Sequence, residues 1–213
     1  VAAGVSIVFS AGNSGQITYT QDTNSNGVIT VASIIDDGAA NAAVVVTSDN
    51  VIAADTAFAA TTANFGERAL PSTVNGLVVQ WDGGVNDPGA LACDPNTDED
   101  DDPSTNPAVA DNAAAISGNV ALINRGVCPF TEKIFAAQNA GASAVIIASD
   151  GRPIGGMGGD APFPDIPAVM VSQEDGATLR TDALVEIEFQ ENVIPLNAGD
   201  QPSSFTSIGP RFF

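Results

Sequence analysis

Apolar residues in this chain gather into short runs separated by clusters of Gly, Asn, Asp and Pro. That pattern predicts buried strands closed by turns, not long amphipathic helices. Residues 5–10 (VSIVFS) and 27–35 (GVITVASII) predict two strands near the start. Ala11-Gly12-Asn13-Ser14-Gly15 ends the first and Asp36-Asp37-Gly38 the second. Residues 43–47 (AVVVT) and 77–81 (LVVQW) predict two more; the Ala/Thr-rich stretch between them has little helical periodicity. Residues 82–107 read as an irregular insert, with four Pro and with six acids between Asp94 and Asp102.

The pattern then becomes regular. Residues 120–124 (VALIN) predict a strand. Cys128-Pro129-Phe130 opens a helix: Pro129 suits its first turn, and Phe130, Ile134 and Ala137 share a face at i, i+4, i+7. Gly141 is placed to stop it. Glu132 and Lys133 are expected on its solvated side. Residues 144–148 (AVIIA) predict the next strand, so 120–148 is a strand–helix–strand unit, which favours parallel pairing with a right-handed crossover. A Gly/Pro-rich loop at 151–164 leads to a short strand at 166–171 (IPAVMV), and Ser172 caps a short helix with Asp175 as its acidic partner. Residues 184–189 (LVEIEF) alternate, with Leu184, Glu186 and Glu188 on one face and Val185, Ile187 and Phe189 on the other, as in a half-exposed strand. The expected class is mixed α/β and β-rich, with two short helices covering one side.

Composition narrows the chemistry. The 213 residues allow one large domain or two small ones. The 26 acids stand against six Lys and Arg, a net charge of −20, which argues against a nucleic-acid partner because phosphate binding needs clustered cations. No His is present, so no Ser-His-Asp or Cys-His machinery and no His-ligated zinc can be completed within this chain. No apolar run approaches the ~20 residues of a membrane helix. The opening residues 1–11 superficially resemble a signal-peptide core but lack a cationic start, and they read instead as a strand of a chain that begins mid-protein. Cys93 and Cys128 are too few for a four-thiolate site and have no CxxC spacing. They read best as one structural disulfide of a secreted protein, with two buried free thiols as the alternative.

Residues 43–189 resemble a protease-associated domain, an appendage of secreted proteases and sorting receptors. The resemblance is carried by Gly118-Asn119-Val120-Ala121-Leu122-Ile123-Asn124-Arg125-Gly126-Val127-Cys128-Pro129-Phe130, by Lys133, Ala136, Ala140-Gly141-Ala142 and Ala144-Val145-Ile146-Ile147, and by Ile166-Pro167-Ala168-Val169-Met170-Val171-Ser172 with Asp175-Gly176. It places Cys93 at the family's other half-cystine, which implies the Cys93–Cys128 disulfide. The acidic insert at 94–107 departs from the family pattern.

The two ends carry a second resemblance. Gly4-Val5-Ser6-Ile7-Val8-Phe9-Ser10-Ala11-Gly12-Asn13-Ser14-Gly15, Ile29-Thr30-Val31-Ala32-Ser33 and Ser203-Ser204-Phe205-Thr206-Ser207-Ile208-Gly209-Pro210-Arg211 look like segments of a subtilisin-like serine protease. That family accepts protease-associated inserts between its oxyanion Asn and its nucleophile. The implied organisation is a subtilisin-like segment at 1–42, a protease-associated domain at 43–190 and a return segment at 191–213. Asn13 then matches the oxyanion-hole Asn, while the family's Asp and His would lie before Val1 and its Ser after Phe213. The chain by itself is expected to be non-catalytic.

Other candidates carry less. Asp98, Asp100 and Asp102 could hold calcium, since hard cations take several oxygens, but they lack EF-hand spacing and read equally as a solvated loop. No other cofactor is expected. Asp150, Asp160 and Asp165 around the Gly-rich loop are candidates for substrate or partner contact, with a plain connector as the alternative. Trp81 is read either as the rim of a peptide site or as part of the core. The functional expectation is a region of a secreted subtilisin-like endopeptidase that shapes substrate access or protein contacts. Its partners would be a protein or peptide substrate and the protease's catalytic domain, with no membrane. Homodimers could form by strand swapping. The alternatives are a stand-alone peptide- or protein-binding module of a sorting protein, and the insert of a metal-dependent aminopeptidase, against which the SSFTSIGP tail argues.

Overall fold

A computed structural model describes residues 7–10, 28–31, 34–35, 42–65, 74–94, 107–190 and 201–202. The chain divides into two compact units, Val1–Asp37 with Leu196–Phe213 and Gly38–Pro195. In the first unit β1 (Ile7–Ser10) pairs in parallel with β2 (Val28–Val31). β3 (Ile34–Ile35) pairs antiparallel with β11 (Gln201–Pro202), so Ile35 faces Gln201 although the whole second unit lies between them in sequence.

The second unit is a closed barrel of seven strands: β4 (Ala42–Val46), β5 (Ala57–Thr62), β6 (Asn75–Gln80), β7 (Val120–Asn124), β8 (Ala144–Ala148), β9 (Ala168–Val171) and β10 (Glu186–Gln190). Around it the order is β10-β4-β5-β9-β8-β7-β6, and β6 returns to β10. The run β6-β7-β8-β9 is parallel and the other pairs are antiparallel. Alternate residues from all seven strands, among them Val44, Ala60, Val78, Leu122, Ile146, Val169 and Ile187, form one buried cluster, which is the barrel interior. Val185, Ile187 and Phe189 are buried as the alternation predicts. β7 and β8 are buried on both faces, the mark of parallel strands under helices.

Among the described residues three α-helices accompany the barrel: α1 (Ala113–Ile116), α2 (Phe130–Asn139) and α3 (Gln173–Leu179). The sequence pattern predicts two; α1 is a single turn of Ala-Ala-Ala-Ile with no amphipathic period to reveal it. β5 is the other missed element, because small Ala and Thr side chains carry little hydrophobic contrast. Helix α2 starts after Pro129 and ends at Gly141, whose φ of 82° is a left-handed stop. Helix α3 is capped by Ser172, whose Oγ accepts from the Asp175 N–H. It lies so close to β8 that a Cβ on Gly176 would stand 2.4 Å from the Ala148 Cβ. Among the described residues no helix is long and apolar enough to cross a membrane.

Candidate functional site

The four parallel strands end on one side of the barrel, and the segments leaving their carboxyl ends carry a network of polar side chains. In sheets of this kind such ends are where ligand-facing groups collect.

The segment after β6 folds around Asp87. Its carboxylate accepts three N–H bonds, from Trp81 Nε1 at 3.0 Å, Leu91 N at 2.9 Å and Ala92 N at 2.6 Å. Ala90 and Ala92 take positive φ of 50° and 54°, so this turn is held by its hydrogen bonds against local preference. Asn124 at the end of β7 clamps the same turn: its Nδ2 donates to the Gly89 carbonyl at 2.7 Å and its backbone N–H to the Ala90 carbonyl at 2.9 Å. Arg180 donates to Asn124 Oδ1, and burial lowers the pKa of its guanidinium. A cleft of about 340 Å³ opens beside this turn, lined by Gln80, Trp81, Asp82, Asp87, Pro88 and Asn112 among others. Its walls offer carboxylates, two side-chain amides and one indole.

Trp81 is only 1% exposed and hydrogen-bonded to Asp87, so it is a buried wall of the cleft and not a protruding rim. Asp150, Asp160 and Asp165 are not among the residues that line the cleft. Asp150 pairs with Arg152 at 2.6 Å and lies 3.9 Å from Arg125. Hydrogen bonding from Arg152 is the main cause that pulls the Asp150 pKa down to about 2. Arg125 also sits 5.7 Å over the Phe130 ring and donates to Met170 Sδ at 3.9 Å; burial chiefly lowers its pKa. Asp160 and Asp165 are exposed on the loop, where the Asp165 N–H donates to Gln138 Oε1 at 2.6 Å. Asn13, Asp98, Asp100 and Asp102 lie outside the described residues.

Cys93 and Cys128 form a disulfide with Sγ–Sγ 2.09 Å and Cα–Cα 5.7 Å. It ties the end of the 82–94 segment to the turn before α2. The Glu132 carboxylate lies within 4.8 Å of both sulfurs, but the bond between them makes this no metal-ligand set. Lys133, expected on a solvated face, is 0% exposed. Its ammonium donates to the Leu91 carbonyl and lies 3.4 Å from Cys93 Sγ. Burial lowers its pKa to about 8, while Asp87 and Glu132 act in the opposite direction. The burial of Lys133 has a plain cause. The 87–94 segment, remote in sequence, covers the first turn of α2, and helical periodicity carries no information about such a cover. The one available signal was that Lys133 is the only lysine in a chain of 26 acids.

Residues 74–179 match the family described as PA domain. Among curated proteins, a probable lipoprotein aminopeptidase of Mycobacterium tuberculosis is 42% identical over 83 residues, covering 38% of this chain and 16% of that protein. A C5a peptidase of Streptococcus pyogenes is 34% identical over 105 residues, covering 46% and 9%. A human ER degradation-enhancing alpha-mannosidase-like protein is 34% identical over 109 residues, covering 46% and 12%. This chain thus spans a small part of the relatives it matches. Among solved structures, a zinc aminopeptidase of Bacillus subtilis aligns with TM-score 0.45 at 18% identity, over 79% of this chain and 33% of that one. A subtilisin-like protease of a Pseudoalteromonas aligns with TM-score 0.47 at 13% identity, over 95% and 51%.

Proposed function

We propose, with residues 74–179 a PA domain, that this chain is the non-catalytic accessory region of a secreted subtilisin-like serine endopeptidase. The observation that carries the reading is the path of the chain. One compact unit is made of residues before and after the barrel, and β3 and β11 pair across the whole excursion. A barrel inserted in a host domain has this signature. The segments around it, GVSIVFSAGNSG and SSFTSIGPR, are the ones that resemble a subtilisin-like protease. In that host the Asn13 amide donates to the oxyanion of the acyl-transfer intermediate, and the chemical step uses groups outside this chain.

The barrel's contribution is to substrate access. Its turns at the carboxyl ends of the parallel strands stand on a rigid scaffold. The net charge of −20 favours cationic protein substrates and disfavours acidic ones, an effect that fades with salt. The test compares the protease carrying this chain with a version in which residues 43–189 are replaced by a short linker. Turnover of small peptides is expected to persist, while large protein substrates lose efficiency or change rank. An equal fall for both classes in a folded enzyme would refute the role in access.

A further inference from the structure

We propose that the Cys93–Cys128 disulfide is a polarised modification site for low-molecular-weight thiols: an external thiolate attacks Cys128, and Cys93 leaves as a thiolate held by the Lys133 ammonium. The two sulfurs sit in unlike surroundings. Lys133, itself fully buried, places Nζ 3.4 Å from the Sγ of the half-buried Cys93. Arg125, the cation nearest to Cys128 in sequence, is directed instead at Asp150, Met170 and the Phe130 ring. Glu132 approaches both sulfurs and so does not distinguish them. The Leu91 and Gly126 carbonyl oxygens lie 3.8 and 3.9 Å from Cys93 Sγ, and they oppose a thiolate there. Their partial charges are farther away than the full charge of the ammonium, and the Leu91 oxygen is already bonded to that ammonium. A cation beside a cysteine lowers its pKa, and in thiol–disulfide exchange the sulfur with the lower pKa leaves faster.

Access points the same way. Both cysteines are half-buried, but their neighbours differ: Cys128 sits between Val127, which is 91% exposed, and the exposed Pro129, whereas Cys93 follows the fully buried Ala92. Val127 has φ of 61°, an unusual value for a β-branched residue. The attacking thiolate's electron pair forms a new S–S bond to Cys128 Sγ. The Cys93–Cys128 bond breaks, and its electron pair stays on Cys93 Sγ beside Lys133. The attacking thiol's proton goes to solvent. A second thiolate can then attack the external sulfur of the mixed disulfide and release Cys128, so two thiols supply the two electrons and leave as their own disulfide.

The test uses the whole folded chain and reduced glutathione at pH 7 without denaturant. Free thiols are trapped early with N-ethylmaleimide, and the peptides are mapped by mass. Glutathione is expected on Cys128 and maleimide on Cys93. Glutathione chiefly on Cys93, an even split, or no adduct on the folded protein would overturn the proposal. In Lys133→Met the equilibrium constant for reduction should fall about tenfold, which for a two-electron couple is about 30 mV towards more negative potential. An unchanged constant in a variant with native Trp81 fluorescence would remove Lys133 from the role. If the variant does not fold, the map on the unaltered protein still decides.

Discussion

Replacing Lys133 by Met should leave the oxidised protein as stable or more stable at pH 7, and should abolish a rise in stability that is expected of the unaltered protein in alkali. In the folded state the Lys133 pKa is lowered from 10.5 to about 8, with burial as the first cause. The unfolded chain therefore binds a proton that the folded chain has lost between those two values. Stability must rise with pH across that window, and below it the full penalty is present. At ~1.4 kcal/mol per pKa unit the charged lysine costs about 3 kcal/mol at pH 7. Met has similar length and carries no charge, but it leaves the Leu91 carbonyl without its donor, a loss of about 1–3 kcal/mol. The expected net change at pH 7 is a gain of roughly 0–2 kcal/mol. Urea unfolding without reductant, followed through Trp81, reads the unit in question. Few other side chains titrate in that window, because the chain has one Lys, one Tyr and no His. The unaltered protein should gain about 3 kcal/mol between pH 7.5 and 10.5, and the variant should lack that gain. Parallel profiles for the two proteins would refute the account of a strained buried ammonium.

Asp87→Ala removes the acceptor of three N–H groups, and at ~1 kcal/mol for each bond should cost about 3 kcal/mol while shifting the Trp81 emission; unchanged emission and midpoint would show that the carboxylate does not organise the turn. Gly176→Ala places a methyl 2.4 Å from the Ala148 Cβ and should cost roughly 1–3 kcal/mol in thermal or urea unfolding, through separation of α3 from β8. A neutral result there would mean that the helix moves away freely.

The parts legible in the sequence are those whose signal is local. β7, α2 and β8 appear where the apolar runs and Pro129 predict them, and Val185, Ile187 and Phe189 are buried as their alternation requires. The Ser172 cap likewise needs only its neighbours. Barrel closure was not legible, because the β6–β10 pairing joins strands far apart in sequence and no local pattern reports it. The polar site was hidden for a related reason. Asp87 reads as one more acid in an irregular, Pro-containing segment, yet its carboxylate organises the turn. Lys133 reads as an exposed helix residue because the segment that buries it arrives from forty residues upstream, as its contact with Cys93 records.

Closure of the barrel also bears on how such a unit survives in crowded or denaturing surroundings. A sheet with free edges offers unpaired N–H and C=O groups on which other chains can add, and proteins commonly protect those edges with charges, prolines or covering loops. Here β6 and β10 pair with each other, so the seven-strand sheet has no such rim. The turns between strands are thereby relieved of a protective duty. They can lengthen, gain acids or change partner specificity without opening a route to aggregation, provided the ring itself stays shut.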